Sequence, residues 1–176
     1  AGENASTGDN NTLLGYFAAN ALTTGSSNTV LGSSAGATLA TGQENVLIGS
    51  DVAPLLTGGV RNNVVGVGAG AVLAGINTRN NLFGYFAGRE LVSDDTSLFG
   101  QEAGRFVDGL RNSAFGAYAL QGSLTGQTGA DNNSAFGFAA LFEISTGGSS
   151  NSAFGTDSGR NVSTGDWNTM VGRSAG

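Results

Sequence analysis

The chain contains neither cysteine nor histidine, and all seven of its basic residues are arginine. Without Cys and His it lacks the usual zinc ligands, the thiol nucleophile and the general base of most hydrolases. No phosphate-binding P-loop occurs. The spacing G-x-S-x-G is found at 32–36 and 172–176 as part of a recurring box, and in a chain without histidine it lacks the base that activates a serine nucleophile. We therefore predict that the protein is not an enzyme and that it holds no metal and no cofactor.

Charge is also scarce. Charged residues make up 11% of the chain, and the net charge is −6. Binding to a nucleic-acid backbone requires clustered Lys and Arg, whereas the arginines here are scattered along the sequence. No apolar run approaches the ~18 residues that a membrane-spanning helix needs. We therefore expect neither nucleic acid nor a membrane among the partners of this chain.

What the chain does contain is a repeat. A box of the form Asn-x-apolar-apolar-Gly recurs ten times, from residues 11–15 to residues 168–172, and Thr96 replaces the Asn once. Successive boxes lie 16 to 21 residues apart, which is too short for helical repeats and suits stacked short strands. The pattern predicts an all-β, parallel β-solenoid of about ten coils of roughly seventeen residues, in one domain over residues 1–176. The anchoring glycines are Gly15, Gly32, Gly49, Gly66, Gly84, Gly100, Gly116, Gly137, Gly155 and Gly172.

Other positions of the coil recur as well. A small residue usually follows the anchoring glycine by three positions and an aliphatic residue by seven, as at Ala18 and Leu22. We predict two short strands per coil, one across the box and one around the aliphatic residue. The Asn column is expected to form a ladder of stacked carboxamides. The glycine column is expected to mark a positive φ or a close backbone approach.

Two apolar residues precede each anchoring glycine. Adjacent strand residues point to opposite faces, so one column fills the interior and the other faces outward, unless the backbone bends at the glycine. An outward apolar stripe of this length exceeds what soluble monomers usually tolerate, which predicts more than one chain. We call the residues immediately before the glycines the glycine-side column and take them as the candidate oligomer interface. They are Leu14, Leu31, Ile48, Val65, Phe83, Phe99, Phe115, Phe136, Phe154 and Val171.

The boxes resemble those of a known family. N-S-A-F-G at 112–116, 133–137 and 151–155, with N-V-L-I-G at 45–49, resembles the head repeats of YadA-like trimeric autotransporter adhesins. The segment 23–36 is similar to the repeat shafts of bacterial and phage tail-fibre proteins. The autotransporter repeat is shorter and usually carries Ala-Ile before its glycine, whereas Phe stands there in five coils of this chain.

The resemblance implies a left-handed, parallel β-roll that assembles as a homotrimer. It also implies an extracellular location, at a cell surface or on a virion fibre, and a role as a spacer shaft that can bind a glycan or protein of a host-cell surface. The chain begins at Ala1-Gly2 and ends at Ala175-Gly176, the same point of the box. We therefore expect a segment of a longer array.

Two features are candidates for recognition. Aromatic residues follow several anchoring glycines, and exposed aromatic rings can stack on sugars; packing against neighbouring coils or chains is the competing interpretation. The coil between Gly116 and Gly137 is longer than the others, and its additional residues lie in 121–131. Insertions of this kind map to exposed loops. The aromatic candidates are Tyr16, Phe17, Tyr85, Phe86, Tyr118 and Phe138.

Three further functions are weighed against the fibre interpretation: ice binding, glycan processing and calcium binding. An ice-binding solenoid is the main alternative. The second position of the box has Thr in only some coils, which is too mixed for a regular ice-matching lattice, so this alternative ranks below the fibre. Asp51, Glu102 and Asp157 share one column in every third coil, which is too far apart for a two-carboxylate glycan-processing enzyme. Asp94-Asp95 is interpreted as a polar turn rather than as a calcium site.

Overall fold

The computed structural model describes residues 1–4, 6–91, 93–122, 129–144 and 147–176. These residues form ten strands of three residues each and no helix. The strands pair in chain order in a single parallel sheet, and each box lies on the next, with Leu13 opposite Val30. The predicted all-β, parallel β-solenoid with a repeat of about 17 residues is confirmed. The strands are β1 Thr12–Leu14, β2 Thr29–Leu31, β3 Val46–Ile48, β4 Asn63–Val65, β5 Asn81–Phe83, β6 Ser97–Phe99, β7 Ser113–Phe115, β8 Ser134–Phe136, β9 Ser152–Phe154 and β10 Thr169–Val171.

Each strand turns its middle residue into the solenoid and its other two residues outward. The middle residues of β2 to β9 are fully buried, from Val30 to Ala153. They pack with the aliphatic column, such as Leu22 and Leu39, and with the small residues after the glycines. This alternation places one of the two apolar columns in the core, as expected for residues of opposite pleat.

The prediction of a second strand in each coil is wrong. In the described residues the segment after the anchoring glycine forms consecutive turns, and one isolated bridge, Leu56–Gly75, falls on the aliphatic column. The cause is a turn that closes at the aliphatic residue: the Leu22 N–H donates to the Ala19 carbonyl (3.1 Å), after left-handed backbone at Phe17 (φ 54°) and Ala19 (φ 43°). Two left-handed residues so close together are incompatible with an extended strand. The aliphatic side chains nevertheless reach the core, and Leu22 is fully buried.

The Asn ladder is confirmed. The fully buried Asn45 donates from Nδ2 to Asn28 Oδ1 (3.0 Å) and to the Gly59 carbonyl (2.7 Å). Its Oδ1 accepts from the backbone N–H and the Nδ2 of Asn62, both at 3.0 Å. The carboxamide therefore joins three successive coils and satisfies a turn carbonyl that burial removes from water.

We expect Asn45→Ala to destabilise the protein by about 3 kcal/mol, because several buried polar groups lose their partners at once. A loss of that size lowers the melting temperature of a chain this long by roughly 6–12 °C. The matched control is Asn63→Ala, since Asn63 lies on the outward face and its Nδ2 donates to Asn81 Oδ1 (2.9 Å). Equal melting temperatures for the two variants would contradict the structural role of the ladder.

The glycine column combines both features expected of it. Every anchoring glycine has a φ between 123° and 144°, a region that side chains avoid. A Cβ placed on Gly49 would lie 2.6 Å from the carbonyl oxygen of Gly66 in the next coil. The glycines therefore let the chain leave each strand and still stack at the spacing of a parallel sheet.

Candidate interaction surface

The outward face of the sheet carries two parallel columns. The first residue of each strand forms a mixed polar column, and the third residue forms the glycine-side column. Leu14 is 67% exposed, Phe115 39% and Phe154 42%, while the other members are half-buried between their neighbours or, at Val171, exposed. The backbone therefore does not bend both apolar columns inward. The polar column is Thr12, Thr29, Val46, Asn63, Asn81, Ser97, Ser113, Ser134, Ser152 and Thr169.

Five phenylalanines make up the glycine-side column from β5 to β9. Their rings stack in register, with centroids 4.9 Å apart between Phe83 and Phe99 and 5.0 Å between Phe136 and Phe154. The interplanar angles are 4° to 5°. Such near-parallel stacking follows from the strand spacing of a parallel sheet. It leaves one edge of every ring facing away from the core, so the surface is continuous and apolar.

The aromatic residues after the glycines lie beside this surface. Tyr16 is 73% exposed and Tyr85 50%, and each contacts the aromatic residue that follows it, with ring centroids 4.4 Å and 4.1 Å apart. Tyr118 and Phe138 contact each other across coils at 5.7 Å. These residues form three separate pairs rather than one continuous site. Whether they bind sugar remains a prediction.

Ion pairs join neighbouring coils in the turns just before the strands. Arg61 Nε donates to Glu44 Oε2 (2.7 Å), and Arg79 pairs with Asp95. The hydrogen bond from Arg79 lowers the pKa of the Asp95 carboxyl, and the same bond raises the pKa of the Arg79 guanidinium. Because these side chains are solvent-exposed or partly so, the pairs contribute little to stability.

The three carboxylates of the glycosidase hypothesis contact protein donors. Glu102 accepts from Arg105 Nη1 (2.7 Å) and from Gln121 Nε2 (2.9 Å). Asp157 pairs with Arg160, and Asp51 accepts from the Ser50 hydroxyl (2.9 Å). These contacts favour surface roles, since each carboxylate already has a partner on its own coil or the next one.

The Asp94-Asp95 turn is also engaged by the protein. Asp94 Oδ1 accepts from the Thr78 backbone N–H (2.8 Å), while Asp95 forms an ion pair with Arg79. Within the described residues, no group of three or more His, Cys, Asp or Glu side chains is arranged to hold a metal ion. The same part of the chain contains no helix that could cross a membrane.

The predicted loop of the long coil is described at its two ends. Gln121 and Gly122 belong to one end and residues 129–131 to the other, and residues 123–128 lie outside the described part. Beside it, burial raises the pKa of the Asp108 carboxyl, and the nearby Asp131 carboxylate raises it further. Asp131 Oδ1 accepts from the Leu110 backbone N–H (2.8 Å).

Sequence reasoning missed one cluster of side chains. Arg89 and Arg105 both lie five residues after an anchoring glycine and so fall on one face of adjacent coils. Their guanidinium carbons are 4.9 Å and 5.9 Å from the ring centroid of Phe86. The shared repeat position was the available signal, but it becomes visible only when the arginines are aligned on the glycines.

Comparison with known proteins identifies no relative. No protein-family model matches the chain, and neither a curated protein nor a solved structure matches it.

Proposed function

We propose that this chain is a structural and adhesive module of an extracellular or virion-attached fibre, in which three copies associate in parallel. The observation that carries the proposal is the uninterrupted glycine-side column on the outward face, with five stacked Phe rings. An apolar stripe along all ten strands is the kind of surface that marks an interaction site.

Parallel association suits this surface because every copy has the same rise per coil. Three copies around one axis place their glycine-side columns at matching heights, and a closed ring leaves no apolar face open for further growth. The burial argument requires only more than one chain. The number three comes from the resemblance to trimeric fibre repeats.

The remaining surface suits a spacer with adhesive positions. Its charged side chains are few, and four of the seven arginines are already paired with carboxylates in the described residues. The exposed Tyr16 and Tyr85 offer aromatic faces to a glycan or protein of a host-cell surface. We propose no reaction for the chain, which has neither His nor Cys.

Multi-angle light scattering at micromolar concentration tests the assembly. A trimer of the 17.4 kDa chain gives three times that mass, about 52 kDa. A stable species of 17.4 kDa would overturn the proposal. Thermal hysteresis of a monomeric sample would favour the ice-binding alternative, and hydrolysis of a polysaccharide would favour the glycan-processing alternative.

A further inference from the structure

We propose that the face formed by Tyr85, Phe86, Arg89 and Arg105 binds a saccharide that carries an anionic group, a carboxylate or a sulfate. This arginine–aromatic cluster lies in the turns that follow β5 and β6. The inference rests on the adhesive part of the proposed function and names the ligand class. It does not require the number of chains in the assembly to be three.

Arg105 is fixed in place by its neighbours. Its Nη1 donates to Glu102 Oε2 (2.7 Å), and its guanidinium carbon lies 4.7 Å from the centroid of the Phe106 ring and 5.9 Å from that of Phe86. Glu102 also accepts from Gln121. The Nε atom of Arg105 is buried and has no hydrogen-bond partner among the described residues. This arginine therefore helps to build the face, and its charge is balanced by Glu102.

Arg89 is different, because its charge is not balanced. Its guanidinium carbon lies 4.9 Å from the centroid of the Phe86 ring. No carboxylate of the described residues lies within ion-pairing distance of it, whereas Arg61, Arg79 and Arg160 each have such a partner. A guanidinium stays protonated at every physiological pH and presents several N–H donors in one plane. Arg89 is thus a partly exposed cation that stacking holds in place and that has donors left for an anion.

The aromatic part of the cluster is rigid. A Cβ on Gly68 would overlap the Phe86 ring, so this ring lies directly on the backbone of the preceding coil. Tyr85 packs against Phe86 with ring centroids 4.1 Å apart and remains 50% exposed. Tyr85 and Arg89 therefore both contact the half-buried Phe86, Tyr85 with its ring and Arg89 with its guanidinium.

An exposed aromatic ring beside an unbalanced guanidinium has the chemistry of an acidic-sugar site. The C–H face of a pyranose stacks on the ring, and the carboxylate or sulfate accepts charge-assisted hydrogen bonds from the guanidinium. A neutral sugar also stacks on the ring, but its hydroxyls accept only ordinary, weaker hydrogen bonds from the guanidinium. The chain as a whole is acidic, with a net charge of −6, so an anion is expected to bind only where an arginine without a carboxylate partner, such as Arg89, lies at the surface.

The test is a ligand-observed NMR titration with trigalacturonic acid, its methyl ester and a sulfated disaccharide. We expect the acid to bind at least about tenfold more tightly than its neutral ester, a difference of about 1.4 kcal/mol, because only the acid forms a charge-assisted hydrogen bond. Arg89→Gln should weaken binding of the acid about tenfold and binding of the ester much less, and Tyr85→Ala should weaken both. Binding of the sulfated probe but not the acid would identify sulfate as the anionic group.

Arg160→Gln is the matched control. Arg160 stacks on Phe142 with its guanidinium carbon 4.8 Å from the ring centroid, but Asp157 already balances its charge. The Arg160→Gln variant should therefore leave binding of the acid and of the ester unchanged. Equal binding of acid and ester, an equal loss in both arginine variants, or no binding of either anionic probe would overturn the inference. Scattering on the same samples separates the two proposals: trimers that do not bind contradict only this site, and monomers that bind contradict only the assembly.

Discussion

Replacing Phe115 and Phe136 by Asp is expected to separate the assembly into single chains that keep the solenoid fold. Both rings point outward from β7 and β8, while the neighbouring Ala114 and Ala135 fill the core. The substitutions therefore leave the interior intact and place charges in the middle of the glycine-side column. A buried, unpaired carboxylate is strongly unfavourable.

The expected effect on association is large. Each ring is already more than half buried in the single chain, so removing the rest of it from water contributes less than the ~1.5–3 kcal/mol of a full burial. Six rings change in a trimer, and each substitution adds a charge to the contact. The association constant should fall by several orders of magnitude, since each ~1.4 kcal/mol is a factor of ten. The measurement is the mass by light scattering, with circular dichroism on the same sample as the check on folding.

A matched pair of substitutions controls for charge alone. Thr24 and Thr41 occupy one turn column in adjacent coils and are exposed. Thr24→Asp with Thr41→Asp therefore introduces two like charges at the same axial spacing but away from the sheet face. This variant should keep the mass of the unaltered protein. If both double variants dissociated, or neither did, the glycine-side column would not be the interface.

Gly49→Ala is expected to disrupt the stack of coils around β3 and β4. Its φ is 139°, and the added Cβ would lie 2.6 Å from the Gly66 carbonyl oxygen and 2.8 Å from the carbonyl carbon. Both atoms belong to backbone of the paired coil, so relief requires that the coils separate. We expect a loss of at least about 4 kcal/mol, which corresponds to a fall of roughly 8–16 °C in melting temperature.

Gly75→Ala separates the clash from backbone strain. Gly75 also has a positive φ, 71°, but a Cβ there would meet no atom within 4 Å. The cost should be limited to the about 1–2 kcal/mol of a left-handed non-glycine residue. A melting temperature for Gly49→Ala that is no lower than that of Gly75→Ala would show that close coil stacking does not explain the glycine column.

The repeat in the sequence was sufficient to predict the fold, because the same constraints act once in every coil. Asn at one position predicted the buried carboxamide ladder, and Gly at another predicted the close approach of coils. The alternation of Leu13 and Leu14 predicted that one column would be interior and the other outward. These features depend only on residues that are close in the sequence and on the fixed spacing of the coils, so they can be predicted from the repeat.

The turn conformation after the glycine could not be predicted in the same way. Residues such as Phe17, Ala53 and Leu120 have positive φ values of 54°, 39° and 52°, although none of them favours that region. These residues lie in turns after which the aliphatic side chain is buried in the core, as at Leu22. The pattern of a buried aliphatic residue was therefore mistaken for a strand.

The sizes of two core positions compensate for each other, and this could not be predicted from either position alone. The two are the middle residue of the strand and the fourth residue after the glycine. Where the strand contributes Leu82 or Leu98, the fourth residue after the glycine is Gly88 or Gly104, and a Cβ there would crowd a Leu methyl group. Where β7 contributes Ala114, that position is the fully buried Leu120. The exchange keeps the core filled and is apparent only when the two positions are known to face each other.

The two candidate binding surfaces differ in whether the sequence could predict them. The glycine-side column was predicted because it follows from strand alternation. The arginine–aromatic cluster was not, because Phe86, Arg89 and Arg105 come together only through the turn that places the second and fifth residues after each glycine on one face. No distance in the sequence specifies that turn.

The most direct test of parallel association through the outward face uses nitroxide spin labels. The chain has no cysteine, so Thr12→Cys and Thr169→Cys, at opposite ends of the sheet, each give one label per chain. Pulsed electron paramagnetic resonance then measures the distance between labels on different chains. In a parallel assembly both sites should give distances well below the length of the sheet, which is about 43 Å for nine steps of ~4.8 Å between its ten strands. Distances near that length at both sites, or no coupling between chains, would contradict the account.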